Sequence, residues 1–261
     1  MKPRKHPAEN RSVPQTSFSG KSHGSARLAL TLCLAIAAVA CGVALWRMTR
    51  RPEQPGVVEE LFEELVPIPG RNFLLARTEV PQALWEAVMG ADTNRVVEAD
   101  LPVSGVSWND CQMFLERLNS LPAVNKSGIT FRLPTEEEWV FACRAGARGQ
   151  FGMLADGTEI SEDNIGEVAW IDDNSEKRAH PVGSKEPNAF GLYDMHGNVW
   201  EWCQDEFGKV SSWAQDHEHD RIYHGGSWLS QAWLCMPLAR RWTSPDAKED
   251  FIGFRLCADK R

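Results

Sequence analysis

The chain has 261 residues, 43% hydrophobic and 25% charged, enough apolar material to bury a full core. Its charge is split: residues 1–51 carry nine Lys or Arg against the single acid Glu9, about +8, while the other 210 residues carry 19 basic and 35 acidic side chains, about −16. An acidic body without a basic stripe excludes nucleic-acid binding, which needs clustered Lys and Arg to neutralise phosphates.

Residues 1–27, rich in Ser, Pro, Lys and Arg, read as a disordered basic tail. Residues 28–46, LALTLCLAIAAVACGVALW, are nineteen residues without a charge, the length a helix needs to cross a hydrocarbon core of about 30 Å. Six positive charges precede this segment (Lys2, Arg4, Lys5, Arg11, Lys21, Arg27) and three follow it (Arg47, Arg50, Arg51). That asymmetry predicts a cytoplasmic N-terminus and a body exported to the periplasm or outside the cell, with a bacterial inner membrane as the plain expectation. A signal peptide cleaved after Ala38-Val39-Ala40, or one lipidated at Cys41, is the competing reading, and it also exports the body. Residues 47–56 form a linker and residues 57–261 the folded domain.

Within the domain, Val80–Met89 and Trp108–Leu118 carry apolar residues at helical spacing, the second with Ser107 or Asn109 as N-cap. Thr135 followed by Glu138 predicts a third helix opened by a capping box. From residue 147 to 224, Gly, Asn, Asp and Ser turns leave no helix longer than about two turns. Gly225–Trp228 and Ile252–Leu256 read as short core strands that return the chain end to a sheet.

One stretch resists both periodicities: Gly191–Cys203, GLYDMHGNVWEWC. Gly197-Asn198 suits a turn with positive φ, and Glu201, set between Trp200 and Trp202, is costly to bury without a counter-charge or a cation. This pattern predicts an ordered loop held by specific contacts. Trp85, Trp108, Trp139, Trp200, Trp202 and Trp228 are expected to pack in the core with each indole N–H on a carbonyl. His217 and His219, in QDHEHD, read as a solvated acidic loop rather than a metal site.

The phrases ELVPIPG (64–70), TEVPQALWEAVMG (78–90), PVSGVSWNDCQMFLERLN (102–119), FRLPTEEEWVFACRAG (131–146), HPVGSKEPNAFGLYDMHGNVWEWCQD (180–205), GGSW (225–228) and SPDAKEDFIGFRL (244–256) together resemble the formylglycine-generating enzyme, or sulfatase-modifying factor, family. The resemblance implies a complex α+β, loop-rich fold similar to C-type lectins, with little regular secondary structure. It also implies oxidation of a substrate cysteine by oxygen at Cu(I), held between two thiolates five residues apart near the C-terminus. The matching stretch here, 225–246, holds only Cys235, with Pro237 and Arg240 where a second thiolate would stand. A single thiolate does not make the copper site, so Cys235 is the one candidate catalytic residue and Cu(I) is doubtful.

The resemblance further implies structural Ca²⁺ at His196, Gly197, Val199 and Glu201, with a second site at Asn164 and Ile165. Five cysteines lie in the domain, and Cys203 with Cys235 is the expected disulfide in an oxidising compartment because both flank the implied site. Relatives place more residues between the Gly of PIPG and TEV than the seven separating Gly70 from Thr78, which reads as a deleted hairpin at one rim of the cleft. The expected function is binding or recognition by a membrane-anchored, diverged member that lacks the copper pair. The partner would be a protein, peptide or small molecule. The alternative is an oxidoreductase of the same type acting on a cysteine-containing protein.

Overall fold

The computed structural model describes residues 55–90, 98–210 and 217–260. The expected tail and anchor, 1–46, lie outside the described residues, and no helix among those described is long and apolar enough to cross a membrane. The chain divides into units 1–52 and 53–261, and the second carries the fold.

Helix α1 (Pro55–Glu63) leads into the hairpin β1 (Leu65–Pro67) and β2 (Phe73–Ala76), in register Leu65↔Ala76 through Pro67↔Leu74. The short Gly70–Thr78 spacing therefore still completes an antiparallel pair. Helix α2 (Gln82–Met89) is followed by α3 (Trp108–Ser120), which buries Trp108, Cys111, Phe114, Leu115 and Leu118, one stripe at three- and four-residue spacing. Ser107 is the N-cap: its Oγ accepts from Asp110 N, and the Asp110 carboxylate accepts from Ser107 N. Helix α3 stops because Leu121 precedes Pro122 and is extended, φ −65 and ψ 138. Pro122 then opens α4 (Pro122–Ser127), which ends at Gly128 in the left-handed conformation, φ 71.

Strand β3 (Ile129–Arg132) and helix α5 (Glu136–Arg144) follow, with Thr135 and Glu138 forming the expected capping box. Glu138 also reaches beyond the helix. Both its oxygens accept from Arg132, at 2.6 and 2.7 Å, and Arg132 also donates to Asp259 at 2.7 and 3.0 Å. The cap of α5 is thereby tied to the C-terminal strand. After α5 the chain runs in turns, interrupted by a short 3₁₀ turn at Ile165–Glu167, until β4 (Trp200–Glu206), α6 (Phe207–Val210) and β5 (Arg221–His224). A second 3₁₀ turn (Ala232–Cys235), β6 (Arg241–Thr243), β7 (Ile252–Gly253) and β8 (Cys257–Lys260) complete the domain.

Two four-stranded sheets result, ordered β1-β2-β8-β3 and β6-β5-β4-β7, antiparallel except for the parallel pair β4 and β7. The chain end does return to a sheet, at β8. Gly225–Trp228, however, is a turn immediately after β5 and not a strand, because Gly225 and Gly226 hold φ 104 and 78. Within the stretch that fits no periodicity, Trp200–Cys203 begins the strand β4. The alternation is missing because both faces are buried, so every one of these four residues is enclosed. Mixed helices, short strands and long ordered loops make this the α+β, loop-rich fold that the family phrases imply.

Candidate functional site

Loop 191–199 is ordered by its own chemistry. Asp194 and Asn198 sit at φ 60 and 61, where short polar side chains are tolerated. Asn198 joins three segments: its N–H donates to Trp170 O (2.8 Å), its Oδ1 accepts from His180 N (2.9 Å), and its carbonyl accepts from Trp228 N (2.8 Å). Gly197 is required for space, since a Cβ there would lie 2.4 Å from the Trp170 carbonyl.

The counter-charge for Glu201 is Arg255. Both are fully buried, and Arg255 donates to the two Glu201 oxygens at 2.6 Å each while Trp139 Nε1 adds a third bond at 2.7 Å. The pair ties β4 to the segment between β7 and β8 and is the kind that costs several kcal/mol to break by removing one partner. Trp108 and Trp202 donate to the carbonyls of Cys203 and Val106, as expected of core indoles, whereas Trp85 is half-buried and stacks on Phe114 at 5.3 Å.

His196 is buried, and its Nδ1 lies 2.9 Å from the Cys235 carbonyl. A carbonyl only accepts, so Nδ1 carries the proton. Burial pushes the His196 pKa down to about 4, which keeps the ring neutral. Cys143 Sγ lies 3.7 and 3.8 Å from the two ring nitrogens, and Phe151 meets the ring edge-on.

Cys235 ends the 3₁₀ turn, in a small cluster with Phe151, Ile160, Ile165 and Ile171. Its sulfur packs so closely on Gly226 that a Cβ there would come within 2.2 Å of Sγ. Burial raises the thiol to about 12, so it is protonated at neutral pH. The positions five residues to either side are Ser230 and Arg240. Ser230 is buried in the preceding turn, where its Oγ accepts from Ser227 N at 2.9 Å, and Arg240 pairs with Glu136 at 3.1 Å.

The expected Cys203–Cys235 disulfide is not formed. All five domain cysteines are free and buried, and Cys203 belongs to a separate cluster with Trp139 and Phe207. The positions paired with Cys235 by the family pattern hold Pro237 and Arg240, so the two-thiolate arrangement that the resemblance implies is not repeated there. The calcium positions that the resemblance implies would contribute backbone carbonyls as well as acids, and their side chains make the following contacts. Glu201 faces Arg255, and the His196 ring faces Cys235. Asn164 Oδ1 accepts from Ser161 N at 2.7 Å, and Ile165 packs near Cys235. Among the described residues no group of three or more His, Cys, Asp or Glu is arranged to hold a metal ion. His217 Nδ1 pairs with Asp220 at 2.7 Å on an exposed turn, as a solvated loop would.

The segment that buries Cys235 also exposes large apolar side chains. Leu229, Trp233 and Leu238 are 45%, 50% and 67% exposed, on the same segment that buries Cys235. Nearby in sequence to the loop's partners, Trp170 stacks on His180 at 3.7 Å and holds Lys185 Nζ 4.0 Å from its ring. A cavity of about 200 Å³ lies elsewhere, walled by Leu61, Leu84, Val182 and Leu256.

Residues 48–260 match the family described as "Sulfatase-modifying factor enzyme 1-like domain". The chain is similar to "Inactive C-alpha-formylglycine-generating enzyme 2" of Mus musculus, 32% identical over 189 residues, 69% of this chain and 56% of the relative. It is also 31% identical to "Formylglycine-generating enzyme" of Streptomyces coelicolor, over 68% of this chain and 59% of the relative. The matched region thus spans less than two thirds of those relatives' lengths. Among solved structures it is similar to "Treponema denticola variable protein 1", TM-score 0.61 and 26% identity, covering 76% of this chain and 91% of that one. The fold, the spaced phrases and these likenesses agree, and the chain belongs to the sulfatase-modifying factor enzyme 1-like family.

Proposed function

We propose that this chain is a diverged, non-catalytic member of its family that binds a protein, peptide or small-molecule ligand through the surface formed by residues 225–238. The observation that carries this reading is the state of Cys235: a buried, protonated thiol against Gly226, with Pro237 and Arg240 where a second thiolate would stand. With the Nδ1 proton on the Cys235 carbonyl, the lone pair of His196 lies on Nε2, 3.7 Å from Cys143 Sγ, and burial makes the ring a weak base. A relative named an inactive formylglycine-generating enzyme is similar over 69% of the chain, which supports loss of the oxidation within this fold. Exposed Leu229, Trp233 and Leu238 give the same segment an apolar contact surface.

The reading includes an exported domain held by a helix at residues 28–46, supported by nineteen uncharged residues and the charge asymmetry around them. Two assays test it. Titration of the full chain with Cu(I), followed by oxygen uptake with a cysteine-containing peptide, should give no tight copper binding and no turnover. Tight binding lost in Cys235→Ser, with peptide oxidation, would overturn it. Separately, protease added outside intact cells should reach the domain, and full protection would reject export.

A further inference from the structure

Helix α1, the end of β2 and the segment entering α2 enclose the cavity of about 200 Å³, which none of the residues 225–238 lines. Its floor is apolar and shut away from water: Leu61, Ala76, Val80, Leu84 and Leu256 are all buried. Glu60, Glu64 and Asp100 line the same cavity and are exposed, so these acids stand on its solvent side, at the mouth. Glu79 is the other ionisable residue of the wall, and none of the described lining residues is Lys, Arg or His.

Charge and shape together narrow the occupant. Arg77 Nε meets Glu64 Oε2 at 2.9 Å, but Glu60 and Asp100 form no ion pair among the described residues, so the mouth keeps an excess of negative charge. An anion is repelled there, a neutral apolar molecule leaves the acids unused, and a bare metal ion gains nothing from an aliphatic floor. A molecule with a cationic head and an aliphatic chain satisfies both parts. Its chain leaves water for the floor while its head stays hydrated beside the carboxylates, as a lysine does when its stem lies on apolar surface. Volume sets the length. At about 30 Å³ for each water-sized group, the cavity takes about seven such groups, the size of a butyl to hexyl chain with its nitrogen.

We propose that this cavity is a ligand site for a short primary alkylammonium, its chain on the floor of Leu61, Leu84 and Leu256 and its nitrogen among Glu60, Glu64 and Asp100. The site is separate from the surface at 225–238. Backbone bonds hold the acids in place: Glu64 N donates to Glu60 O at 3.2 Å, which keeps the two glutamates one helical turn apart on the same side, and Asp100 O accepts from Val182 N at 2.8 Å.

The test is calorimetric titration of the full chain at neutral pH with pentylammonium chloride, n-pentanol and sodium pentanoate, which share a chain and differ in charge. Pentylammonium should bind about tenfold more tightly than pentanol, and pentanoate should not bind. From propyl- to hexylammonium, each added CH₂ should tighten binding about fourfold, the equivalent of burying one methylene. Ala83→Phe fills the cavity from a half-buried position and leaves the net charge unchanged, so it should abolish binding of both the ammonium and the alcohol. Glu60→Gln combined with Asp100→Asn, at exposed positions outside the core, should weaken the ammonium about tenfold and leave the alcohol as it was. This double variant decides the question even if Ala83→Phe does not fold. Equal affinities for pentylammonium and pentanol would overturn the proposal, because the acids would then contribute nothing. So would ammonium binding that survives Ala83→Phe, which would reduce it to attraction by the acidic body, and so would the absence of binding by all three compounds.

Discussion

Arg255→Met would leave the Glu201 carboxylate buried with only the Trp139 indole as donor, so it is predicted to cost about 3–5 kcal/mol in urea unfolding. A loss below about 1 kcal/mol would mean that water reaches the pair. Gly226→Ala combines a positive φ of 78 with a Cβ placed 2.2 Å from Cys235 Sγ, so the cysteine turn must move. The expected loss is about 1–3 kcal/mol, with Cys235 reacting faster with a thiol reagent than in the parent protein. His196 sets an acid limit. Its folded pKa of about 4 lies below the ordinary value near 6.5, so between those pH values the unfolded chain binds a proton that the folded one refuses. Stability contributed by this residue is full above pH 6.5 and falls as pH drops toward 4, by about 3 kcal/mol in total. A His196→Gln variant, compared by denaturation at pH 7 and pH 4.5, should lose less on acidification than the parent. Most of the site is legible at this scale. The requirement of Glu201 for a counter-charge is readable from its two flanking tryptophans, but Arg255 as the partner is not, because 54 residues separate them and nothing local marks the pairing.

Elements with local rules are readable from sequence with nearly correct bounds. Helices α2, α3 and α5 announce themselves through apolar spacing and, for the last two, through Ser107 with Asp110 and Thr135 with Glu138. Thr135→Ala is predicted to cost about 1 kcal/mol through the lost cap bond, and more than Ser107→Ala if release of Glu138 also loosens Arg132 from Asp259. Thermal melts of the two single variants measure this. Strand β4 is hidden in the sequence because burial on both faces erases the alternation that marks a strand. The Gly225-Gly226 turn reads as a strand for the opposite reason: its flanks are apolar, while two positive φ angles and the sulfur of Cys235 govern its path. The Cys203–Cys235 pairing fails because closeness to one implied site does not bring two sulfurs together, and the cysteines fall in separate clusters.

At the scale of the molecule, phrases spread over residues 64–256 identify the fold although little of it is regular, because each phrase marks a contact between distant segments. Asn198 bonding to 170, 180 and 228, and Arg132 bonding to 138 and 259, are contacts of that kind. Function follows the fold less closely. The fold is kept, while the stretch 225–246 carries one cysteine, the buried Cys235, and exposes Leu229, Trp233 and Leu238. The most direct measurement is a Cu(I) competition titration of the full chain, wild type and Cys235→Ser, under reducing conditions. The account predicts weak binding that is indistinguishable between the two proteins. One equivalent of tightly held copper that is lost in Cys235→Ser would contradict it and place the chain among the oxidising members of its family.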